Sequence, residues 1–93
     1  MNTVCVVGAG TMGAQIGLNC ASYGYTVWIV DPSGETREKA LQSHIQALDA
    51  RVQEQKISSQ EKQDILSRIH LTENLKEGAS VADLVIEAVP ERL

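Results

Sequence analysis

The sequence predicts an α/β fold in which helices cover both faces of an open parallel β-sheet. Two short segments, Thr3–Val7 and Thr26–Val30, consist only of apolar or β-branched residues, which is typical of strands that are buried on both faces. A turn and then a segment of helical periodicity follow each of them. Strands that alternate with helices pair in parallel through right-handed crossovers. The pattern therefore predicts one doubly wound sheet of about four strands, in the order 3-2-1-4.

The first two helices are predicted from their periodicity and their ends. The first runs from Thr11 to Tyr23, and Gly24 supplies a left-handed residue that stops it. A turn at Asp31–Gly34 follows the second strand, and a long amphipathic helix then extends from about Glu35 to Gln55. Apolar residues recur along this long helix, and they predict an inner face made of Leu41, Ile45, Leu48 and Val52.

The last third of the chain predicts shorter elements. Ser58 and Glu61 form a capping box, in which the hydroxyl caps an N–H group and the carboxylate reaches back, so a third helix begins here. Its predicted inner face is Ile65, Leu66 and Ile69. The remaining predicted elements are a strand at His70–Thr72, one helical turn at Leu75–Gly78 and a fourth strand at Leu84–Val89, which Pro90 ends.

Composition indicates one small globular domain that spans residues 1–93. Hydrophobic residues make up 43% of the chain and charged residues 22%, which is ordinary for a soluble protein. The net charge of −4 argues against nucleic acid or an anionic membrane as a partner. The sequence shows no signal peptide, no apolar run long enough to span a membrane and no disulfide framework, so we expect a cytoplasmic protein.

A glycine-rich turn joins the first strand to the first helix. The segment Gly8–Gly13 follows the pattern G-x-G-x-x-G, which binds dinucleotides when a strand precedes it and a helix follows it. Gly8 allows the sharp turn, Gly10 lets a pyrophosphate approach the backbone, and Gly13 lets the helix lie close to the strand. The N–H groups at the helix start and the helix dipole then face the phosphates. The pattern predicts a Rossmann-type nucleotide site that holds an anion without basic side chains.

Asp31 is the second mark of a dinucleotide site. It directly follows the second strand, 18 residues after Gly13. A carboxylate at this place can accept hydrogen bonds from both hydroxyls of an adenosine ribose, and it repels a 2′-phosphate, so NAD is favoured over NADP. The alternative interpretation is that Asp31 is a helix or turn cap before Pro32, and this role is compatible with the first.

The other polar candidates carry weaker signals. Glu87 and Glu91 flank the end of the fourth strand, where open α/β sheets bind ligands, although Glu91 also fits the first turn of a helix. His44 and His70 have neither metal-ligand spacing nor a nucleophile beside them, and we interpret both as structural. The residues therefore predict no metal site and no catalytic group.

Three segments together resemble a known family. VVGAGTMGAQIG, VWIVDPS and DLVIEAVPE are similar to the N-terminal NAD-binding domain of 3-hydroxyacyl-CoA dehydrogenases, and the resemblance covers nearly the whole chain. That family oxidises a 3-hydroxyacyl-CoA to the 3-keto form and passes hydride to NAD. The resemblance implies that the glycine-rich turn holds the pyrophosphate, Asp31 the adenosine ribose, and Ala88 and Glu91 the nicotinamide side. The expected cofactor-binding residues are Gly8, Ala9, Gly10, Thr11, Met12, Gly13, Asp31, Ala88 and Glu91.

The resemblance also implies what this chain lacks. The family's catalytic His, the acid that orients it, and the Ser and Asn that contact substrate lie beyond Leu93, so we expect a truncated dehydrogenase half that binds NAD without turnover. Acyl-CoA would then bind only with the missing domain. The family often places a Ser and a Lys for CoA on the long helix, where this chain has Ala47 and Glu54, with Ser43 and Lys56 close by but out of register. The apolar edge of the fourth strand predicts self-association.

Other functions stay open at this point. Related dehydrogenases of the same fold act on carnitine or on sugar acids. A non-catalytic nucleotide-binding or regulatory module, complete as it stands, and a flavin-binding domain are alternatives of other classes. A titration of the chain with NAD and with FAD distinguishes the last of these.

Overall fold

The computed structural model describes residues 2–88, which form eight elements in the order β-α-β-α-α-β-α-β. The helices in this range are α1 (Thr11–Ser22), α2 (Gly34–Gln53), α3 (Ser59–Ser67) and α4 (Leu75–Val81). The strands are β1 (Thr3–Val7), β2 (Thr26–Val30), β3 (Ile69–Thr72) and β4 (Leu84–Glu87).

The strands form one parallel sheet in the order β3-β2-β1-β4, which confirms the predicted topology. At its carboxyl edge Val7 of β1 stands in register with Val30 of β2 on one side and with Glu87 of β4 on the other. The segments that follow these three strands therefore meet at one edge of the sheet. They carry Gly8, Asp31 and Ala88, respectively.

Helices cover both faces of the sheet, as predicted. On one face α1 lies so close that a Cβ added to Gly17 would be 2.5 Å from Ile29 Cδ1. On the other face α4 is also close, because a Cβ on Gly78 would be 2.9 Å from Val30 Cγ2 and 3.3 Å from Cys5 Sγ. Helices α2 and α3 pack on α1. The core between these layers is aliphatic, in keeping with a chain that has no Phe.

The inner face of α2 differs from the predicted one. Its buried residues are Ala40, His44 and Leu48, so the buried stripe lies one residue before Leu41 and Ile45, which are only partly buried. His44 is 1% exposed, and its Nε2 donates a hydrogen bond of 2.8 Å to the carbonyl oxygen of Ala14 on α1. Of the predicted inner face Leu48 is therefore confirmed, whereas Val52, like Leu41 and Ile45, is only partly buried. An apolar pattern counts a histidine as an outward residue, which is why it missed His44.

Most helix ends agree with their sequence signals. The capping box of Ser58 and Glu61 is present, with both of its hydrogen bonds. Helix α1 ends at Ser22 with Tyr23 as its C-cap, and Gly24 has φ of 98°, so the left-handed stop is confirmed. The left-handed region favours glycine because a Cβ crowds the backbone there.

Three boundaries are corrected. Helix α2 runs from Gly34 to Gln53 rather than from Glu35 to Gln55, since Gln55 has φ of 60° and lies beyond the helix. Ile69 belongs to β3, where it pairs with Val27, and not to α3. Helix α4 continues to Val81 instead of stopping after one turn. The predicted end of the fourth strand at Val89 lies outside the described residues.

The other histidine and the cysteines lie away from the carboxyl edge of the sheet. The His70 ring stacks on Trp28 in mid-sheet, with ring centroids 4.6 Å apart. Cys5 is buried in β1, and Cys20 is partly buried on α1; both are free thiols. Within residues 2–88, no helix combines the length and the apolar character that a membrane span requires.

Burial of His44 makes folding stability depend on pH. Burial lowers the pKa of His44, and its bond to the Ala14 carbonyl opposes that shift. The folded-state pKa therefore lies below the unfolded value of about 6.5. At a pH above the unfolded value, the imidazole of His44 is neutral in both states. At a pH below it, the imidazole takes up a proton in the unfolded chain but stays neutral in the folded chain, so protonation favours unfolding. We expect the urea midpoint to fall as the pH is lowered from about 7.5 to about 5.5.

His44→Leu should remove this part of the pH dependence, whereas His70→Gln, at an exposed site, should retain it. Urea unfolding of the three proteins across this pH range measures the effect. An unchanged slope in His44→Leu would show that another group is responsible.

Candidate nucleotide-binding site

The turn after β1 has the backbone that a sharp reversal needs. Gly8 has φ of 107°, a conformation that L side chains rarely adopt. Its N–H donates to the carbonyl oxygen of Val30 at 2.7 Å, which continues the sheet past the end of β1. The turn is therefore fixed to the end of β2 before any ligand binds.

The start of α1 touches this turn. A Cβ added to Gly13 would lie 1.8 Å from the carbonyl oxygen of Gly8 and 3.4 Å from the Cβ of Ala88. No side chain fits in that space, so Gly13 is required by the close approach of the helix to the loop. The role predicted for this glycine agrees with the geometry.

Gly10 differs from these two glycines, because the protein itself does not require it. Its φ of −67° is available to any residue, and a Cβ added there would meet no atom within 4 Å. The bare backbone at Gly10 therefore faces open space, where an outside group can approach closely.

The first turn of α1 presents its backbone to the same space. The N-cap is Gly10, which offers no side-chain cap, and no acidic residue occupies the first turn. The first N–H groups of a helix have no partner within the helix, and the helix dipole adds partial positive charge at this end. Thr11 and Met12 are exposed beside them, and Met12 is 66% exposed. This end of α1 can bind an anion through backbone groups alone.

Asp31 faces the glycine-rich turn. Its Oδ2 accepts a hydrogen bond from the N–H of Ala9 at 3.0 Å, and its Oδ1 accepts one from the N–H of Ser33 at 2.9 Å. The bond to Ser33 is the turn cap that the sequence offered as the alternative role. The bond to Ala9 ties the carboxylate to the loop, and each oxygen retains capacity for a further donor because a carboxylate oxygen has two lone pairs.

Ala88 forms the third side of the site. It is buried, and its N–H donates to the carbonyl oxygen of Val7 at 2.8 Å. Its small side chain lies beside Gly13, between the glycine-rich turn and the end of β4. Glu87 is exposed at the end of β4. Glu91, the other residue expected here, lies outside the described residues.

A groove between α1 and α2 opens next to Gly10, and the sequence did not predict it. Its volume is about 370 Å³. Both Ser43 and Ala47 of α2 line it, whereas Glu54 lies at the C-cap of that helix and is not part of the groove. No local pattern reveals such a space, since its walls come from two helices that meet only in the fold. The groove is lined by, among others, Gly10, Thr11, Gln15, Thr36, Lys39 and His44.

Comparison with known proteins identifies the family. The model of the 3-hydroxyacyl-CoA dehydrogenase NAD-binding domain matches residues 3–93. The chain belongs to this family. It is 37% identical over 93 residues to 3-hydroxyadipyl-CoA dehydrogenase of Escherichia coli (strain K12), a match that covers 100% of this chain and 19% of that protein.

Solved structures agree with this assignment. The (S)-3-hydroxybutyryl-CoA dehydrogenase of Ralstonia eutropha matches with a TM-score of 0.94 and 33% identity, over 100% of this chain and 32% of that one. The 3-hydroxybutyryl-CoA dehydrogenase of Escherichia coli K12 matches with a TM-score of 0.92 and 36% identity, over 98% of this chain and 19% of that one. The chain thus spans between a fifth and a third of the length of these relatives, in the part of the family that binds NAD.

The residues present fit this cofactor. A diphosphate needs donors without a competing side chain, and the start of α1 with Gly10 supplies them. A ribose needs an acceptor next to that turn, and Asp31 lies there. Among residues 2–88, no group of His, Cys, Asp and Glu side chains is arranged to hold a metal ion.

Two glycine substitutions separate folding from binding. Gly13→Ala should destabilise the fold by roughly 3 kcal/mol or more, because the added methyl collides with backbone at Gly8. Gly10→Ala should change the free energy of unfolding by no more than about 1 kcal/mol, since its methyl meets nothing in the protein. The same methyl would stand where the sequence predicts the pyrophosphate, so NAD affinity should fall at least about tenfold.

Urea unfolding and calorimetric NAD titration of both variants provide the measurement. A Gly10→Ala protein that binds NAD as tightly as the original would place the pyrophosphate elsewhere.

Proposed function

We propose that this chain binds NAD at the carboxyl edge of its sheet, as part of a dehydrogenase that transfers hydride from a 3-hydroxyacyl-CoA to NAD. The observation that carries the proposal is the placement of the Asp31 carboxylate on the glycine-rich turn, next to the bare backbone of Gly10. The Asp31 carboxylate would accept the hydroxyls of a sugar, and the backbone at Gly10 would let a diphosphate approach. The bond to the Ala9 N–H holds the carboxylate against the turn that carries Gly10.

The pyrophosphate would lie over Gly10, against the first turn of α1. Backbone N–H groups and the positive end of the helix dipole are the source of affinity there. The chain has a net charge of −4, so its overall field does not attract this anion. Binding therefore depends on the local arrangement of N–H groups, which packing of Gly13 against Gly8 holds in place.

Asp31 would accept hydrogen bonds from the hydroxyls of the adenosine ribose. Its bond to the Ala9 N–H orients the carboxylate before the cofactor arrives, so little ordering remains to be done on binding. A 2′-phosphate in the same place would bring negative charge against a carboxylate. The proposal is therefore selectivity for NAD over NADP.

The nicotinamide end would extend toward β4. Ala88 is buried with its small side chain beside Gly13, so no large side chain at this position would block the cofactor. We extend this proposal to Glu91, which follows Ala88 by three residues and is expected on the same side. When bound, NAD supplies the hydride acceptor; these residues hold and orient it.

Removal of the substrate's hydroxyl proton requires a base near the hydride acceptor, and neither histidine of the described range can serve. The ring of His44 is buried between α1 and α2, and the ring of His70 stacks on Trp28 in mid-sheet. A general base must come within about 3 Å of the proton it removes. We propose that this chain alone binds NAD without turnover, and that a segment outside it supplies the base and the acyl-CoA contacts.

The substrate class is proposed from the relatives. The matched proteins are named for 3-hydroxyadipyl-CoA and 3-hydroxybutyryl-CoA, which differ in acyl chain but share the 3-hydroxyacyl-CoA unit. That shared unit is the class we assign. A cytoplasmic location is proposed as well, and the two free thiols, Cys5 and Cys20, support it because reducing compartments keep thiols free.

The proposal is tested by titrating the chain with NAD, NADP and FAD in a calorimeter. NAD should bind more tightly than the other two. Asp31→Asn should weaken NAD binding about tenfold or more, because hydrogen bonds to a charged acceptor are the stronger kind. The same substitution should also reduce the ratio of the NADP dissociation constant to the NAD dissociation constant. Asp64→Asn removes the same charge from an exposed position on α3 and is the matched control.

Tighter binding of FAD than of NAD would overturn the proposed cofactor site. Equal losses of NAD affinity in Asp31→Asn and Asp64→Asn would remove Asp31 from the ribose contact.

We also propose that the isolated chain self-associates through β4. This strand is at the edge of the sheet within residues 2–88, and it exposes Leu84 by 42% and Val85 by 46%. An apolar strand edge offers N–H and C=O groups to another chain. Dimers or larger species should therefore increase with concentration in sedimentation velocity.

Val85→Lys should shift the population toward monomer, because a lysine at a strand edge opposes pairing. Tyr23→Lys adds the same charge at a residue that is 85% exposed and lies away from β4, and should leave the distribution unchanged. A chain that stays monomeric at high concentration would contradict self-association.

A further inference from the structure

His44 makes one specific contact and leaves one atom without a partner. Its Nε2 lies 2.8 Å from the carbonyl oxygen of Ala14. Since a carbonyl only accepts, Nε2 carries the hydrogen and Nδ1 is left as a bare acceptor. Within the described residues Nδ1 is buried and has no hydrogen-bond partner.

The hydrogen bond from His44 should contribute little to the free energy of unfolding. The Ala14 carbonyl already belongs to α1, whose regular i to i−4 pattern gives it the Leu18 N–H as a donor. A buried acceptor without a donor costs free energy, and an apolar side chain of similar size would avoid that cost. Packing alone therefore does not explain a histidine at this position.

The location of the contact provides an explanation. Ala14 directly follows Gly13, and its own N–H donates to the Gly10 carbonyl at 2.8 Å. The other end of α1 is held by Arg68, whose Nη1 donates to the carbonyl oxygen of Ala21 at 2.9 Å. The start of α1 has no side-chain cap. Of these two side-chain bonds to carbonyls of α1, the one from His44 lies nearer to the glycine-rich turn.

We propose that His44 is a positioning residue for NAD binding: its Nε2–H holds the first turns of α1 against α2, so that the N–H groups at the helix start point at the pyrophosphate. The inference rests on the proposed function. Hydrogen bonds to phosphate are directional and weaken as the donor tilts away. A helix start that is free to rock would therefore bind the anion less tightly even when the fold is intact.

Two variants separate positioning from stability. His44→Leu removes the donor and also the unsatisfied nitrogen, so the urea midpoint at about pH 7.5 should stay the same or rise. NAD affinity should nevertheless fall about fivefold, the value of one ordinary hydrogen bond. His44→Gln restores an N–H donor of similar reach without a ring, and should bind NAD within about twofold of the original chain. Urea unfolding and calorimetric titration of the full chain give these values.

Hydrogen exchange without NAD gives an independent measurement. Amides in the first turns of α1 should exchange faster in His44→Leu than in the original chain or in His44→Gln, while those of β1 should not change. Unchanged exchange in α1 would overturn the proposal. So would unchanged NAD affinity in His44→Leu, or parallel losses of stability and affinity in both variants. If the original chain binds no NAD, the proposed function fails, and the exchange result still decides whether His44 holds α1.

Discussion

The structure depends on the close approach of α1 to the turn after β1. At Gly13 this approach leaves less space than any side chain needs, because the carbonyl oxygen of Gly8 lies where a Cβ would be. The helix can come so near only because Gly8 takes a positive φ and turns the chain sharply. The start of α1 therefore lies at the carboxyl edge of the sheet, between the segments that follow β2 and β4. The site is thus a consequence of helix-on-sheet packing: Gly8 and Gly13 are required by the fold itself, whereas Gly10 is not.

The electrostatics of the site follow from the same packing. An acidic chain can hold a diphosphate when the donors are backbone N–H groups, since these contribute partial positive charge without a basic residue. The first turn of α1 contains no acidic residue that would cancel this effect. Asp31 brings one carboxylate to the turn, where its oxygens accept N–H groups from Ala9 and Ser33. The site therefore combines a region that favours negative charge with a neighbouring acceptor that favours hydroxyls, and these properties match the two parts of an adenosine diphosphate.

Sequence patterns predicted the parts of the fold that short-range chemistry determines. The role of Gly13 and the capping box at Ser58 were predicted correctly because each depends on neighbouring residues or on spacing alone. The strand order was predicted correctly for a different reason, since right-handed parallel crossovers leave few topologies open. The predicted inner face of α2 was correct at Leu48 but missed His44, because a rule that sorts residues by polarity does not expect a buried histidine that donates to a carbonyl on another helix. The groove between α1 and α2 was missed because its walls come from two helices that meet only in the fold. The place of Ala88 came from family resemblance, since a buried alanine carries no signal of its own.

Helix α2 is tied to the nucleotide site at two separate points. At its start, Asp31 accepts the N–H of Ser33, the residue that caps α2, while its other oxygen accepts from the glycine-rich turn. Further along, His44 bonds to Ala14 on α1. A helix held at one point can pivot about it, whereas a second point of attachment on another element restricts that motion. Both ties end on segments beside the proposed pyrophosphate site, so they hold α2 in a defined position relative to the glycine-rich turn and the start of α1.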